Sequence, residues 1–173
     1  MLRIAAIKEY PIGSLVFPTK GTGGSAGWDF YMPKPSETFI EHFNKLNHCK
    51  FEDVAVSEGC GIALHSHQRV IIPSGFKVAI EAGTAFVAWE KSGLATNYGL
   101  VPSAKVVDED YQGEVGIGLL NTSDRDVFID FGQKITQFVH IPVIKDTLEV
   151  VDEKELYESA SERGSGAYGS TGV

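Results

Sequence analysis

Short apolar segments that alternate with polar residues, and stop every few positions at a turn former, limit what this chain can fold into more than any other feature. Phe76, Val78 and Ile80 alternate with Lys77 and Ala79. A period of two puts the three larger apolar side chains on one face of an extended strand and leaves the other face toward solvent. Comparable segments run over 2–7, 69–72, 85–90, 114–121, 126–130 and 134–144. Between them stand Pro73-Ser74-Gly75, Ala82-Gly83 and the 121–126 stretch, rich in residues that accept turn geometry. Many short strands with regular turns predict an all-β sandwich or barrel. At 173 residues and 43% hydrophobic content, one domain can bury its own core.

The segment 34–60 breaks the pattern. Phe39, Ile40, Phe43 and Leu46 recur at helical spacing after Pro35 and Ser36, which predicts a short amphipathic helix over 37–47 with Ser36 as its N-cap. Its apolar face serves either a decoration packed on the β-domain or a surface for a protein partner. Further on, 152–162 is acidic and reads as a mobile link to the chain end.

That end, 163–172, holds four glycines, two serines, a threonine, Arg163 and Tyr168. Glycines let a backbone approach a ligand closely, free N–H groups and hydroxyls suit phosphate oxygens, and a guanidinium adds a forked cation. The same composition also describes a disordered Gly/Ser tail. Four other segments suit the same ligand: Gly24-Ser25-Ala26-Gly27-Trp28-Asp29-Phe30, Lys91-Ser92-Gly93-Leu94-Ala95, the stretch 106–113 around Asp108 and Tyr111, and the stretch 132–138 ending Thr136-Gln137-Phe138. In this order, with the tail last, the five resemble the five motifs of the homotrimeric dUTP diphosphatases (dUTPases). The resemblance covers about 29–33 and 69–173 and is weaker at the first strand. It implies a distorted jelly-roll over 1–151, interrupted by the 34–60 insertion. A linker and flexible glycine-rich arm over 152–173 would close a neighbouring subunit's site. The implied reaction is Mg²⁺-assisted hydrolysis of dUTP to dUMP and pyrophosphate, at three sites on the subunit interfaces.

The resemblance assigns roles residue by residue. Asp108 matches the base that orients the attacking water; by itself an aspartate at a strand-to-turn junction is a turn former. Asp110 has the right charge but not the base position. Tyr111 matches the ring that excludes a 2′-hydroxyl, and is equally the kind of tyrosine that packs at an interface. Uracil would be read by main-chain groups at Lys105 and Gly116, in a hairpin between the strand ending at Val107 and the strand starting at Glu114. The family commonly has glycine where Lys105 stands. Lys91, Ser92 and Gly93 match the phosphate-binding second motif, in which arginine is usual at the Lys91 position; a lysine lacks the bidentate fork. Gln137 would donate to the α-phosphate region, and Asp29 would support the metal and its waters. Arg163, Tyr168, Gly169, Ser170 and Thr171 belong to the arm that holds the γ-phosphate and covers the uracil.

Composition removes other classes. A net charge of −8 argues against a nucleic-acid backbone as partner. No apolar run is long enough to span a bilayer, and the N-terminus lacks a signal-peptide pattern. Cys49 and Cys60 lack metal or redox spacing, which points to a reduced, intracellular and cytoplasmic setting. His65-Ser66-His67 has the two-residue spacing of a strand-borne metal pair, but without a third ligand it reads as a surface strand pair. Mg²⁺ on a triphosphate needs no compact carboxylate cluster. Two rival readings remain: a dCTP deaminase of the same fold, and a regulatory protein that engages its partner through 34–60.

Overall fold

The computed structural model describes residues 1–55, 60–162 and 164–166. In chain order its elements are β1 (Arg3–Ala6), β2 (Gly27–Tyr31), α1 (Glu37–Leu46), β3 (Gly61–Leu64), β4 (Arg69–Pro73), β5 (Phe76–Ala79) and β6 (Thr84–Trp89). They continue with α2 (Ser92–Tyr98), β7 (Leu100–Ser103), β8 (Val106–Val107), β9 (Gly116–Asn121), β10 (Val127–Asp130) and β11 (Lys134–Pro142). All the strand pairings are antiparallel. A four-stranded sheet runs β2-β11-β6-β8, a three-stranded sheet runs β4-β9-β7, and β1-β5 and β10-β3 form two-stranded ladders. Small sheets wrapped round one core bear out the all-β reading of the alternation and agree with the distorted jelly-roll that the resemblance implies. All the alternating segments are strands.

Burial along β5 follows the pattern read from the sequence: Phe76 and Val78 are buried while Lys77 and Ala79 are exposed. Phe138 at the centre of β11 lies 4.8 Å, ring to ring, from both Phe30 of β2 and Phe86 of β6. Phe30 also meets Phe76 edge-on, and Ile72, Ile117 and Leu119 fill the same core from β4 and β9. These contacts tie the separate ladders into one apolar interior.

Sequence reading missed β2, β3, β7 and α2 as regular elements. β3 is buried at every position and has no alternation to detect. α2 has seven residues, and it stops at Gly99, whose φ of 70° lets the last turn close with an N–H bond to the Ala95 carbonyl. The expected hairpin also needs correction. β8 pairs with β6 whereas β9 pairs with β4 and β7, so among the described residues no ladder joins the two arms. His65 and His67 are not a strand pair either: they lie in the turn between β3 and β4, on Asp126 and Asp124 respectively.

The insertion forms its helix where the spacing placed it, and the Ser36 side chain accepts the Phe39 N–H as N-cap. It is more than a decoration. Phe39 and Phe43 are fully buried and both meet Phe51 edge-on at 5.6 Å. Beyond the helix, Asn47 extends the β4 ladder: its amide donates to the Ile71 carbonyl at 2.8 Å and accepts the Ile71 N–H at 2.7 Å. Leu46, expected on the apolar face, is exposed instead, because the helix ends there and turns toward β4.

Phe43→Ala should therefore destabilise the whole domain, by about 3–5 kcal/mol for loss of a core phenylalanine. Urea unfolding followed by tryptophan fluorescence checks this. A single cooperative transition at lower midpoint is expected, not a separate early loss of the insertion.

Candidate active site

The charged end of the four-stranded sheet is built by register. On β11, Gln137 stands opposite Asp29 of β2 on one side and Trp89 of β6 on the other. Asp29 is only 3% exposed. Its Oδ1 accepts from the Lys91 ammonium and its Oδ2 from that of Lys134, each at 2.8 Å. Burial by itself would push this carboxyl's pKa up; the hydrogen bonds and charges of Lys134 and Lys91 outweigh it and hold the group below its ordinary range. Asp29 stays ionised, and the trio carries one net positive charge.

Gln137 completes this corner. Its Nε2 donates to the Glu90 carbonyl at 2.8 Å, and a Cβ built on Gly27 would come within 2.6 Å of its Oε1. Gly27 is thus required so that the amide can lie across β2. Glu90 also receives the Lys105 ammonium at 2.8 Å, while the Lys105 carbonyl accepts the Ala88 N–H at 2.7 Å. Lys91 is the residue from which α2 starts, so Ser92 and Gly93 are its exposed first-turn residues. First-turn N–H groups lack intrahelical acceptors and favour an anion.

The second group of predicted residues lies elsewhere on the chain. Asp108 follows β8 and Asp110 is two residues on; both are exposed, and neither enters an ion pair among the described residues. The neighbouring Glu109 anchors this loop by accepting the Gly83 N–H and the Lys145 ammonium. Tyr111, 44% exposed, donates its N–H to the Asp108 carbonyl and its hydroxyl to the Glu114 carbonyl. Gly116 opens β9 opposite Pro73.

Val107 pairs with Phe86, five residues before Lys91. At roughly 3.3 Å per extended residue, about 16 Å of chain, running past the end of β6, separates the level of Val107 from Lys91, and Asp108 lies one residue further off. The chain therefore brings Asp29, Lys91, Ser92, Gly93 and Gln137 together and holds Asp108 and Tyr111 apart from them. Arg163, Tyr168, Gly169, Ser170 and Thr171 lie outside the described residues.

Sequence reasoning missed Lys134, Glu90 and Gly27 as parts of this corner. Lys134 stood inside the fourth motif, but its partner is visible only once β11 is paired with β2, where a register shift between Lys134 and Thr136 occurs.

An all-β jelly-roll that gathers cations at one strand-end corner, with a short helix starting there, is of the class suited to binding anions such as phosphates. The particular family follows from comparison: the dUTPase family model matches residues 53–172, and the chain belongs to that family. It is 40% identical over 123 residues to a deoxyuridine 5′-triphosphate nucleotidohydrolase from Desulfotalea psychrophila, covering 70% of this chain and 79% of that protein. It is 34% identical over 155 residues to the enzyme of the same name from Kluyveromyces lactis, covering 90% and 85% respectively. Among solved structures it is similar in fold to the Staphylococcus bacteriophage 80alpha dUTPase with dUPNHPP, at a TM-score of 0.73 and 20% identity over 100% of this chain and 99% of that one.

Asp29→Asn tests the charged corner. Because the folded pKa is lowered below the ordinary 3.8, the pairing contributes stability that is fully present above that value and is lost as pH falls through the folded one. The variant should lose roughly 3 kcal/mol at pH 7, the lower end for a broken buried pair, because the lysines reach solvent. Its stability should also fall less between pH 5 and pH 2 than that of the parent, as read by denaturant midpoints across that range.

Proposed function

We propose that the protein hydrolyses dUTP to dUMP and pyrophosphate at sites shared between copies of a homotrimer. Family membership supports the reaction. The observation that carries the shared site is the register that sets Val107 level with Phe86, about 16 Å of chain from Lys91, with Asp108 one residue further off. In-line attack needs the base and the phosphate cations on one phosphorus. Two copies can meet that requirement by setting the base of one beside the cations of the other.

In this reading Asp108 accepts a proton from water, the water oxygen bonds to the α-phosphorus, and the bond from that phosphorus to the α–β bridging oxygen breaks. Pyrophosphate leaves with the electron pair and dUMP remains. Lys91, with the first-turn N–H groups at Ser92 and Gly93, holds the phosphates, and Gln137 serves the α-phosphate side. Tyr111 lies along the deoxyribose and leaves no room for a 2′-hydroxyl. Main-chain groups at Lys105 and Gly116 read the uracil; the absence of a ladder between β8 and β9 among the described residues supports a slot there. From a neighbouring copy, Arg163, Tyr168, Gly169, Ser170 and Thr171 close the site, an assignment that rests on the resemblance. The arm would begin near 152, after the domain.

Among the described residues no cluster of three or more His, Cys, Asp or Glu could enclose a metal. A magnesium ion would arrive on triphosphate oxygens and waters, and Asp29, whose oxygens hold Lys91 and Lys134, would bear on it only through water. When bound, Mg²⁺ would neutralise phosphate charge. A cytoplasmic setting, where deoxynucleotides are made and used, fits this chemistry; among the described residues no helix is long and apolar enough to cross a membrane. Burial of Phe39 and Phe43 turns the apolar face of α1 inward, so a protein partner at the insertion would have to use its polar outer face.

Pyrophosphate release from each deoxynucleoside triphosphate, with and without Mg²⁺, tests the reading; ammonia release from dCTP would instead identify a deaminase. Asp108→Asn should lower kcat by roughly two to four orders of magnitude while substrate binding changes less. Co-expressing Asp108→Asn with Lys91→Ala subunits tests the sharing. Mixed trimers confirmed by mass should recover activity that neither variant has alone, since some of their sites join an intact Lys91 to an intact Asp108. Mixed trimers without recovery would place both residues in one chain's site.

A further inference from the structure

We infer that His42 on the inserted helix, acting through Glu114, positions the Tyr111 ring, so that the insertion serves as a buttress for sugar selection. The inference rests on the reading of Tyr111 as the sugar-facing ring. Tyr111 is anchored by Glu114: its hydroxyl donates to the Glu114 carbonyl at 2.7 Å. The ring folds back over Gly113, where an added Cβ would come within 2.5 Å of the hydroxyl. Wherever the Glu114 backbone goes, the ring follows.

Glu114 is itself fixed by three separate parts of the fold. Its side chain is only 13% exposed. Oε1 accepts the Tyr10 hydroxyl at 2.9 Å and the Gly75 N–H at 2.6 Å, and Oε2 lies 2.6 Å from His42 Nδ1. A carboxylate oxygen accepts, so the 2.6 Å contact is a hydrogen bond in the tautomer that carries its proton on Nδ1. Burial and the nearby Glu114 charge push the Tyr10 pKa far up, so its hydroxyl remains a donor. Tyr10 also packs edge-on against the His42 ring, with centroids 5.6 Å apart. Adjacent main-chain bonds, Val115 N–H to the Phe76 carbonyl and Ser74 N–H to the Val115 carbonyl, hold the far end of the loop.

The helix reaches the loop mainly through this link. A cavity of about 600 Å³, lined by Ala5, Lys45, Leu46 and Lys77 as well as His42, Tyr111 and Glu114, otherwise lies between them. Without the His42 bond the Tyr111 side of the loop would border open space and keep two of its three side-chain anchors. A ring free to shift admits a ribose hydroxyl. His42 is thus a positioning residue.

The test compares kcat/KM for dUTP with that for UTP in four variants. His42→Phe keeps a ring but removes the donor, and should lower the dUTP preference about fivefold, mostly through KM. His42→Asn, whose amide nitrogen reaches the place of Nδ1, should hold the preference within about twofold of the parent. Tyr10→Phe, a milder loss of one donor, should lower it by a smaller factor and carries the test if His42→Phe does not fold. Tyr111→Ala should lose most of the preference. If Tyr111→Ala collapses the ratio while His42→Phe, or Tyr10→Phe in its place, leaves it intact, the buttress is overturned and the selector stands. Equal losses in His42→Phe and His42→Asn would overturn the hydrogen-bond role. An unchanged ratio in Tyr111→Ala would overturn the selector and the buttress together.

Discussion

Burial of the Asp29 carboxylate is the constraint on which this structure depends. Removing an ion from water costs several kcal/mol unless partners replace the lost hydration. Asp29 has two, Lys91 and Lys134, and they come from different strands of the same sheet: one follows β6, the other opens β11. Satisfying the carboxylate therefore fixes the register of β2, β11 and β6 together. The same register stacks Phe30, Phe86 and Phe138 at the core, so the charge cluster and the aromatic cluster specify one arrangement. The surplus positive charge at this corner matters because the chain as a whole is at −8. An anion would meet here a local cationic patch on a molecule that otherwise repels it.

Elements whose own residues carry the period were legible in the sequence. β5 alternates cleanly, and α1 has helical spacing plus an N-cap. β2, with Gly27 and Asp29 in a five-residue strand, contains residues disfavoured in strands. It is a strand because Gly27 admits Gln137 and because the lysines answer Asp29. β7 contains Pro102, which is tolerated since β7 is an edge strand of the β4-β9-β7 sheet. Such elements are set by tertiary partners, and no local pattern reports them. The candidate site divides in the same way. Asp29, Lys91 and Gln137 were found through their motifs, whereas Lys134 and Glu114 owe their importance to what lies across the fold from them.

Inserted segments are often regarded as additions to a finished domain, yet here the domain is finished by the insertion. Phe39, Phe43 and Phe51 belong to the same apolar cluster as the strands, and Asn47 continues the edge of β4 with two hydrogen bonds to Ile71. An edge strand left bare would invite pairing with another chain; Asn47 blunts it with one side chain. The helix consequently has a rigid seat, and a rigid seat is what allows His42 to bear on Glu114.

The C-terminal segment presents the opposite situation. After β11 the chain runs on through Ile144, Leu148 and Val150, which are 87–88% exposed. Isolated surface apolar residues are ordinary, but three along one extended stretch leave apolar area in water that a second copy could cover. In the proposed reading the Asp108 loop asks for assembly by another route, because the register sets it well away from Lys91 along the sheet. A chain that leaves this apolar segment uncovered and, in the proposed reading, a site divided would gain from assembly twice: the segment would be covered, and the divided site joined. Both requirements suit the homotrimer of the proposal. In that proposed assembly activity depends on the interfaces, so dissociation should abolish turnover before the individual jelly-rolls unfold.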